Sequence, residues 1–138
     1  MRYSLLYCLL LFLCISCGKG GVAGDDNHII IDNSDDTYPV VVVNTPTDSQ
    51  VLASGSVISV TGTVSDNSLY QGTITIRNES NGLIMKDQNY EIHYIPSYNF
   101  SMSYTASVSS PTDYTITVKF EDHGHNQTVK TVKVKVNP

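Results

Sequence analysis

The stretch SPTDYTITVKF, residues 110–120, alternates apolar and polar side chains along most of its length. Its apolar members are Tyr114, Ile116, Val118 and Phe120. A period of two is typical of a β-strand with one buried face and one wet face. The Ser-Pro pair that precedes the alternation marks a turn. This stretch therefore predicts a strand that follows a turn and packs one face on a core.

Similar segments lie on both sides of it, and Val, Ile, Thr and Tyr favour the surface of a sheet. The predicted strands include residues 40–43, 57–65, 73–78, 83–87, 98–104 and 129–136. Residues 79–82, Glu-Ser-Asn-Gly, predict a hairpin turn. In the last segment, the step from Val129 to Val132 breaks the alternation and predicts a β-bulge near Lys130.

The fold predicted from these segments is an all-β, antiparallel sandwich of about seven strands in roughly 100 residues. No segment shows a helical period. The chain's three cysteines, Cys8, Cys14 and Cys17, all lie in the first 17 residues. The predicted sandwich therefore has no disulfide and depends on packing alone.

The turn and strand at residues 110–118 resemble the corner before strand F of immunoglobulin-like and fibronectin-III-like domains. Tyr114 matches the tyrosine whose hydroxyl bonds back to the backbone in those domains. Ile116 stands where antibody domains have a cysteine, and the chain has no Trp. The likeness is thus to bacterial surface modules of the immunoglobulin, fibronectin-III or cadherin type, over residues 38–138. Such modules serve in adhesion, spacing or ligand binding.

The N-terminus is typical of a lipoprotein signal. Residues 5–15 form an apolar run that is too short to span a membrane but suits a signal peptide. Ser16-Cys17-Gly18 then resembles a bacterial lipobox, although Cys14 stands at −3, where Leu is usual. We expect residues 1–16 to be cleaved and Cys17 to be lipidated. The alternative is an ordinary secretory signal cut near Ser16 or Gly18.

Residues 17–37 predict a flexible acidic tether between this anchor and the domain at 38–138. Residues 29–31, three isoleucines, could form a short edge strand or a patch on the domain. The residue after Cys17 is glycine and not the aspartate of an inner-membrane retention signal. The sequence therefore favours the outer membrane.

Charge and motifs narrow the functional classes. The formal net charge is −5, which argues against a nucleic-acid partner because phosphate binding needs a basic face. The chain has no G-x-S-x-G, no H-E-x-x-H and no phosphate-binding glycine loop. We therefore expect no enzymatic activity.

Two loops carry candidate metal ligands. In the immunoglobulin-like topology, the loop with Asp66 meets the loop with Asp122, His123 and His125 at one end of the sandwich. Carboxylate oxygens suit calcium, whereas imidazoles suit zinc or copper. The alternative is that these residues are ordinary turn formers and solvated histidines. A divalent cation is the sole candidate cofactor, and the predicted fold does not require one.

Tyr90, His93 and Tyr94 form a second candidate site, for a glycan or protein ligand. Tyrosine suits such contacts because its ring is apolar and its hydroxyl is polar. The alternating residues from Tyr98 onward are expected in the core. The alternative for the three is that they form cross-strand aromatic pairs that stabilise the sheet.

Together these features predict an envelope-anchored lipoprotein that acts as a non-enzymatic binding or adhesion module. The first alternative is a structural accessory or spacer subunit of an envelope complex. The second is a metal-binding envelope protein, which depends on the loop at residues 122–126.

Overall fold

A computed structural model describes residues 36–138, which contain eight β-strands and no helix. The strands are β1 (Val40–Thr45), β2 (Gln50–Ala53), β3 (Val57–Ser65), β4 (Leu69–Asn78), β5 (Ile84–Glu91), β6 (Ser97–Thr105), β7 (Thr112–Asp122) and β8 (Gln127–Asn137). No helix in this part of the chain is long and apolar enough to cross a membrane. The predicted signal peptide, Cys17 and the isoleucine triplet lie outside the described residues.

The strands form two sheets, in the orders β1-β3-β6 and β2-β8-β7-β4-β5. Neighbours pair antiparallel except for β2, which runs parallel to β8. The described residues contain no cysteine and hence no disulfide. The predicted all-β sandwich is confirmed, and its eighth strand is the short β2, which has no clear alternation in the sequence.

The core lies between the sheets and follows the predicted alternation. On β7, the side chains of Tyr114, Ile116, Val118 and Phe120 are all buried. On the other sheet, the inward-facing residues of β3 and β6 form the opposite wall of the core. The stretch at residues 112–120 therefore has the conformation that its sequence predicts, at the centre of the five-stranded sheet.

Glycines make room for two phenylalanine rings of the core. Gly72 of β4 is the cross-strand partner of Phe120, and Gly62 of β3 is the partner of Phe100. A methyl group at either glycine would overlap the ring of its partner. The glycines are therefore needed for close packing and not for an unusual backbone angle.

The predicted β-bulge near Lys130 is wrong. The register between β7 and β8 runs unbroken from Thr112↔Val136 to Glu121↔Gln127. Val129 is 52% exposed, so it belongs to the outward row of β8. The break in the apolar pattern arises because a valine faces solvent, and it needs no inserted residue.

The predicted corner at Tyr114 differs in its hydrogen bonding. Among the hydrogen bonds of residues 36–138, none joins the Tyr114 hydroxyl to the backbone. Its ring lies 6.1 Å from that of Tyr104 on the opposite sheet. Burial raises the pKa of Tyr114, and the nearby Tyr104 hydroxyl raises it further. The tyrosine therefore links the two sheets in place of fastening the corner.

Side chains of β5 close one side of the sandwich against β6. Lys86 Nζ donates to the carbonyl of Ser103 at 2.9 Å, and Tyr90 Oη donates to the carbonyl of Ser101 at 2.7 Å. Gln88 Nε2 also reaches the Ser101 carbonyl, at 3.4 Å. The edge of β6 is thereby covered by side chains of the other sheet.

Candidate functional site: a histidine–tyrosine cluster at one pole

Three loops meet at the pole of the sandwich where β3, β5 and β7 end. The backbone N–H of His123 donates to the carbonyl of Ser68 at 2.9 Å. The N–H of Tyr94 donates to the carbonyl of Leu69 at 3.1 Å, and that of Asp66 to the carbonyl of Pro96 at 3.1 Å. The predicted meeting of the loops that hold Asp66 and Asp122 is therefore confirmed.

Four rings from these loops and from β4 pack together, and we call them the pole cluster: Tyr70, His93, Tyr94 and His123. The centroid of the His123 ring lies 4.4 Å from Tyr94, 4.8 Å from Tyr70 and 5.5 Å from His93. Tyr70 and His93 are 5.2 Å apart. The His93 ring is also 6.4 Å from Tyr94, so both histidines contact the other three rings, and His123 makes the shortest contacts.

Tyr94 is the most exposed member of the cluster. Its φ angle is +57°, in the left-handed region that a residue with a side chain seldom adopts. Its ring is stacked on His123 with an interplanar angle of 9°, while the residue is 75% exposed. The loop therefore holds a large aromatic side chain at the surface in an unfavourable backbone conformation.

The ring of His123 carries an unsatisfied polar atom. Its Nε2 is buried and has no hydrogen-bond partner within the described part of the chain. Buried polar atoms in folded proteins are nearly always paired, so each exception needs a reason. The backbone N–H of His123 donates to Ser68, whereas this buried ring nitrogen has no partner in the described part of the chain.

His93 has a carboxylate beside it. Its Nε2 lies 3.4 Å from Glu91 Oε2, and the two side chains are 49% and 70% exposed. At this exposure the contact contributes little to stability. It does place a negative charge and an imidazole at the rim of the pole cluster.

The four predicted metal ligands do not converge. Asp66 Oδ1 accepts from the N–H of Ser68 at 2.8 Å and so closes its own turn. Asp122 is fully buried, and its two carboxylate oxygens accept from the backbone and side chain of Asn126 at 2.8 and 2.9 Å. Both carboxylates therefore hold loops in shape.

The two histidines of this predicted set also separate. His123 belongs to the pole cluster, whereas His125 Nδ1 lies 3.0 Å from Glu121 Oε1. Within residues 36–138, no group of three or more His, Cys, Asp or Glu is arranged to hold a metal ion. The prediction that Asp66, Asp122, His123 and His125 share one cation is thus not supported by the geometry.

Glu121 is the centre of a separate network on the outer face of the five-stranded sheet. Its side chain is 10% exposed, and Gln127 Nε2 donates to Oε2 at 2.9 Å. The hydrogen bond with His125 lowers the pKa of Glu121, and bonds from Gln71 and Gln127 lower it further against the opposing effect of burial. This network braces the β7–β8 turn.

The predicted ligand residues divide in two. Tyr90 is 7% exposed and bonded to Ser101, so its assignment to a binding surface is wrong. His93 and Tyr94 do lie at the surface and enter the pole cluster together with His123. The sequence had placed these three in two separate candidate sites, and it gave no reason to select Tyr70, which lies on a strand.

The comparisons with known proteins concern the fold. No protein family model and no curated protein sequence matches the chain. An engineered protein is similar in structure, with a TM-score of 0.52 and 16% identity over 72% of this chain. This chain matches 20% of that protein's length. The likeness concerns the fold, which in this chain is a β-sandwich of two sheets.

Two further structures align with most of this chain at TM-scores below 0.5. The CARDB domain of a Pyrococcus furiosus protein, solved in complex with di-metal ions, has a TM-score of 0.44 at 12% identity, over 72% of this chain and 90% of that one. Murine CRIg has a TM-score of 0.41 at 11% identity, over 73% and 98% of the two chains.

Proposed function

We propose that this chain is an envelope-anchored lipoprotein whose immunoglobulin-like domain is a non-enzymatic binding module, and that the pole cluster holds its ligand. The observation that carries the proposal is Tyr94: an exposed tyrosine with a positive φ, stacked on a histidine whose buried Nε2 has no hydrogen-bond partner among residues 36–138. Residues held in sparsely populated backbone conformations cost about 1–3 kcal/mol and cluster at ligand sites.

The chemistry of the cluster suits a glycan or a protein surface. The exposed ring of Tyr94 offers an apolar area that binds with little loss of side-chain entropy. His93 and Glu91 supply polar groups at the rim, and His123 Nε2 supplies a donor or acceptor within the cluster. A few polar groups around an aromatic surface are the usual composition of a recognition site.

The anchor is proposed from the sequence and is consistent with where the domain begins. Val40, the first residue of β1, pairs with Ser65 at the same pole. About 20 residues separate Cys17 from Tyr38, and an extended chain spans at most about 3.6 Å per residue, or roughly 70 Å. A lipid on Cys17 would thus keep Tyr38, close to the start of β1, within that distance of the outer membrane.

The test is binding by the full chain in detergent micelles, using an array of envelope and host glycans together with a pull-down from solubilised membranes. Tyr94→Ala should weaken binding of the retained ligand by about tenfold or more, since truncating an aromatic anchor costs about 2 kcal/mol of binding free energy. Tyr94→Phe is the matched control, because it keeps the stacked ring.

Two results would count against the proposal. Equal retention by the wild type and Tyr94→Ala would remove the cluster as the binding site. Co-purification of one membrane complex by both proteins, with no ligand on the array, would instead favour the structural accessory.

A further inference from the structure

A second concave site lies at the other end of β5, on the outer face of the five-stranded sheet. It is a groove of about 360 Å³ beside the β4–β5 hairpin. Its lining is made of Thr75, Arg77, Glu79, Ile84, Thr115 and Thr117. None of these residues belongs to the pole cluster, so this inference is independent of the proposed function.

The floor of the groove holds an unsatisfied hydroxyl. Thr115 Oγ1 is buried and has no hydrogen-bond partner among residues 36–138. Thr75 differs, because its hydroxyl already donates to Asp87 Oδ1 at 2.6 Å. A buried polar group without a partner destabilises the folded protein, so a ligand that bonds to Thr115 would recover part of that loss.

The adjacent cation is also unengaged. Arg77 is the cross-strand partner of Thr115, and its side chain is exposed. No ion pair or hydrogen bond of its guanidinium is found in the described part of the chain. A guanidinium presents five N–H donors in a planar fork that matches the two oxygens of a carboxylate. Two hydrogen-bond donors without a partner in the described part of the chain thus stand side by side.

The remaining lining limits which anion fits. Ile84 is 56% exposed and gives the groove an apolar wall. Glu79 places a negative charge in the lining, which disfavours a doubly charged phosphate more than a singly charged carboxylate. The volume lies near the lower limit for small-molecule sites, about 300 Å³, and so suits a ligand of monosaccharide size.

We propose that this groove binds a sugar acid. Arg77 pairs with the carboxylate, the Thr115 and Thr117 hydroxyls bond to ring hydroxyls, and Ile84 packs against the C–H face of the ring. The ligand lies flat on the sheet across β4 and β7, where Arg77 is opposite Thr115 and Thr117 is the next outward residue of β7.

The test uses the full chain in detergent micelles, labelled with ¹⁵N and titrated separately with glucuronate, glucose, acetate and glucose 6-phosphate. Glucuronate should shift the amide signals of Arg77, Thr115 and Thr117 saturably. Each of the other three should bind at least about tenfold more weakly, since each lacks the sugar ring, the carboxylate or the single charge.

Variants locate the effect. Arg77→Gln should weaken glucuronate binding by about tenfold or more. Arg77→Lys should recover only part of the loss, because lysine keeps the charge but lacks the planar set of guanidinium donors. Thr115→Val should weaken glucuronate binding, whereas Thr115→Ser should not. Lys119→Gln is the matched control, because it removes a cation from the same face of the sheet outside the groove.

Four outcomes would overturn the proposal. If glucose bound as tightly as glucuronate, the carboxylate would have no role in binding. If acetate bound as tightly, the sugar ring would have none. Equal binding of glucose 6-phosphate would contradict the role of Glu79. An equal loss in Lys119→Gln and Arg77→Gln would show attraction to a general positive field and no built site.

Discussion

The phenyl ring of Phe100 lies 5.2 Å from that of Phe120, centroid to centroid, across the interface of the two sheets. Each ring rests on a glycine of the neighbouring strand in its own sheet. The two glycines are not equivalent. A methyl group on Gly72 would meet the ring of Phe120, whereas one on Gly62 would also meet the backbone carbonyl of Val42.

This difference predicts two outcomes for the same substitution. Gly72→Ala should destabilise the domain by about 1–3 kcal/mol through overpacking. Adding Phe120→Leu should recover part of that loss, because the overlapping atoms belong to one side chain. Urea unfolding of the four proteins of this double-mutant cycle should give a coupling energy of about 0.5–3 kcal/mol.

Gly62→Ala supplies the comparison. Phe100→Leu should not rescue it, because the carbonyl of Val42 stays in place. Equal rescue at both glycines would show that the backbone of β1 yields as easily as a ring.

The bond between Tyr90 and β6 can be measured by removing one atom. Tyr90→Phe leaves the ring packed near Phe120 and Tyr98 but removes the donor to the Ser101 carbonyl. The free energy of unfolding should fall by about 0.5–1.5 kcal/mol. Tyr90→Ala should cost about 3–5 kcal/mol, the usual loss for a buried aromatic ring. Ligand loss in Tyr90→Phe without any loss of stability would restore Tyr90 as a surface contact.

Glu121 predicts a pH dependence of stability. Its pKa in the folded protein is lowered, chiefly by the hydrogen bond with His125. The unfolded protein therefore takes up this proton first as pH falls. The contribution of Glu121 is complete above the unfolded value of about 4.3 and is lost as pH falls through the lower folded value.

Melting temperatures measured from pH 7 to pH 3 test this dependence. The difference between the wild type and Glu121→Gln should shrink below about pH 4. Glu79→Gln is the control, because Glu79 is an exposed glutamate at the end of the same sheet. A difference that stayed constant across this range would mean that Glu121 is not bonded as described.

Asp122 should act on the fold and not on a metal. Asp122→Ala removes both bonds to Asn126 and should destabilise the domain by about 1–3 kcal/mol. Asp122→Asn should cost less, because its amide oxygen can still accept from the Asn126 backbone. Thermal melts with added calcium, zinc or copper should show the same loss. A metal that raised the melting temperature of the wild type alone would contradict this reading.

Cys17→Ala tests the proposed anchor. The variant should leave the membrane fraction while its domain melts at the wild-type temperature, since multiple acyl chains are what give stable attachment. Fractionation of cells with both proteins, followed by a melt of the soluble variant, measures the two effects separately. A Cys17→Ala protein that remained in the membrane fraction would exclude lipidation as the anchor.

The sequence predicted the parts of the fold in which burial alternates with strand position. The runs in β3, β6 and β7 have one dry and one wet face, so the period of two appears directly. β2 was missed because it has only four residues and none of them is fully buried. Val129 was misread because the sequence does not distinguish an exposed valine from a buried one.

The candidate site was predicted only in part. The topology indicated which loops meet, and that expectation holds for Asp66 and Asp122. The direction of each side chain depends on local bonds, such as the one from Asn126 to Asp122, which composition does not reveal. Tyr90 lies on the same face of β5 as Lys86 and Gln88. Because these two residues are polar, the sequence does not indicate that this face packs over β6.

The contacts from β5 onto β6 have a consequence for crowded surfaces. An open strand edge is a template for pairing with another chain, and proteins held on one surface meet one another often. Because Lys86 and Tyr90 occupy carbonyl groups of β6 within each molecule, a neighbour cannot extend that sheet without first displacing them. High surface density would therefore favour separate copies over fibrous assembly along this edge.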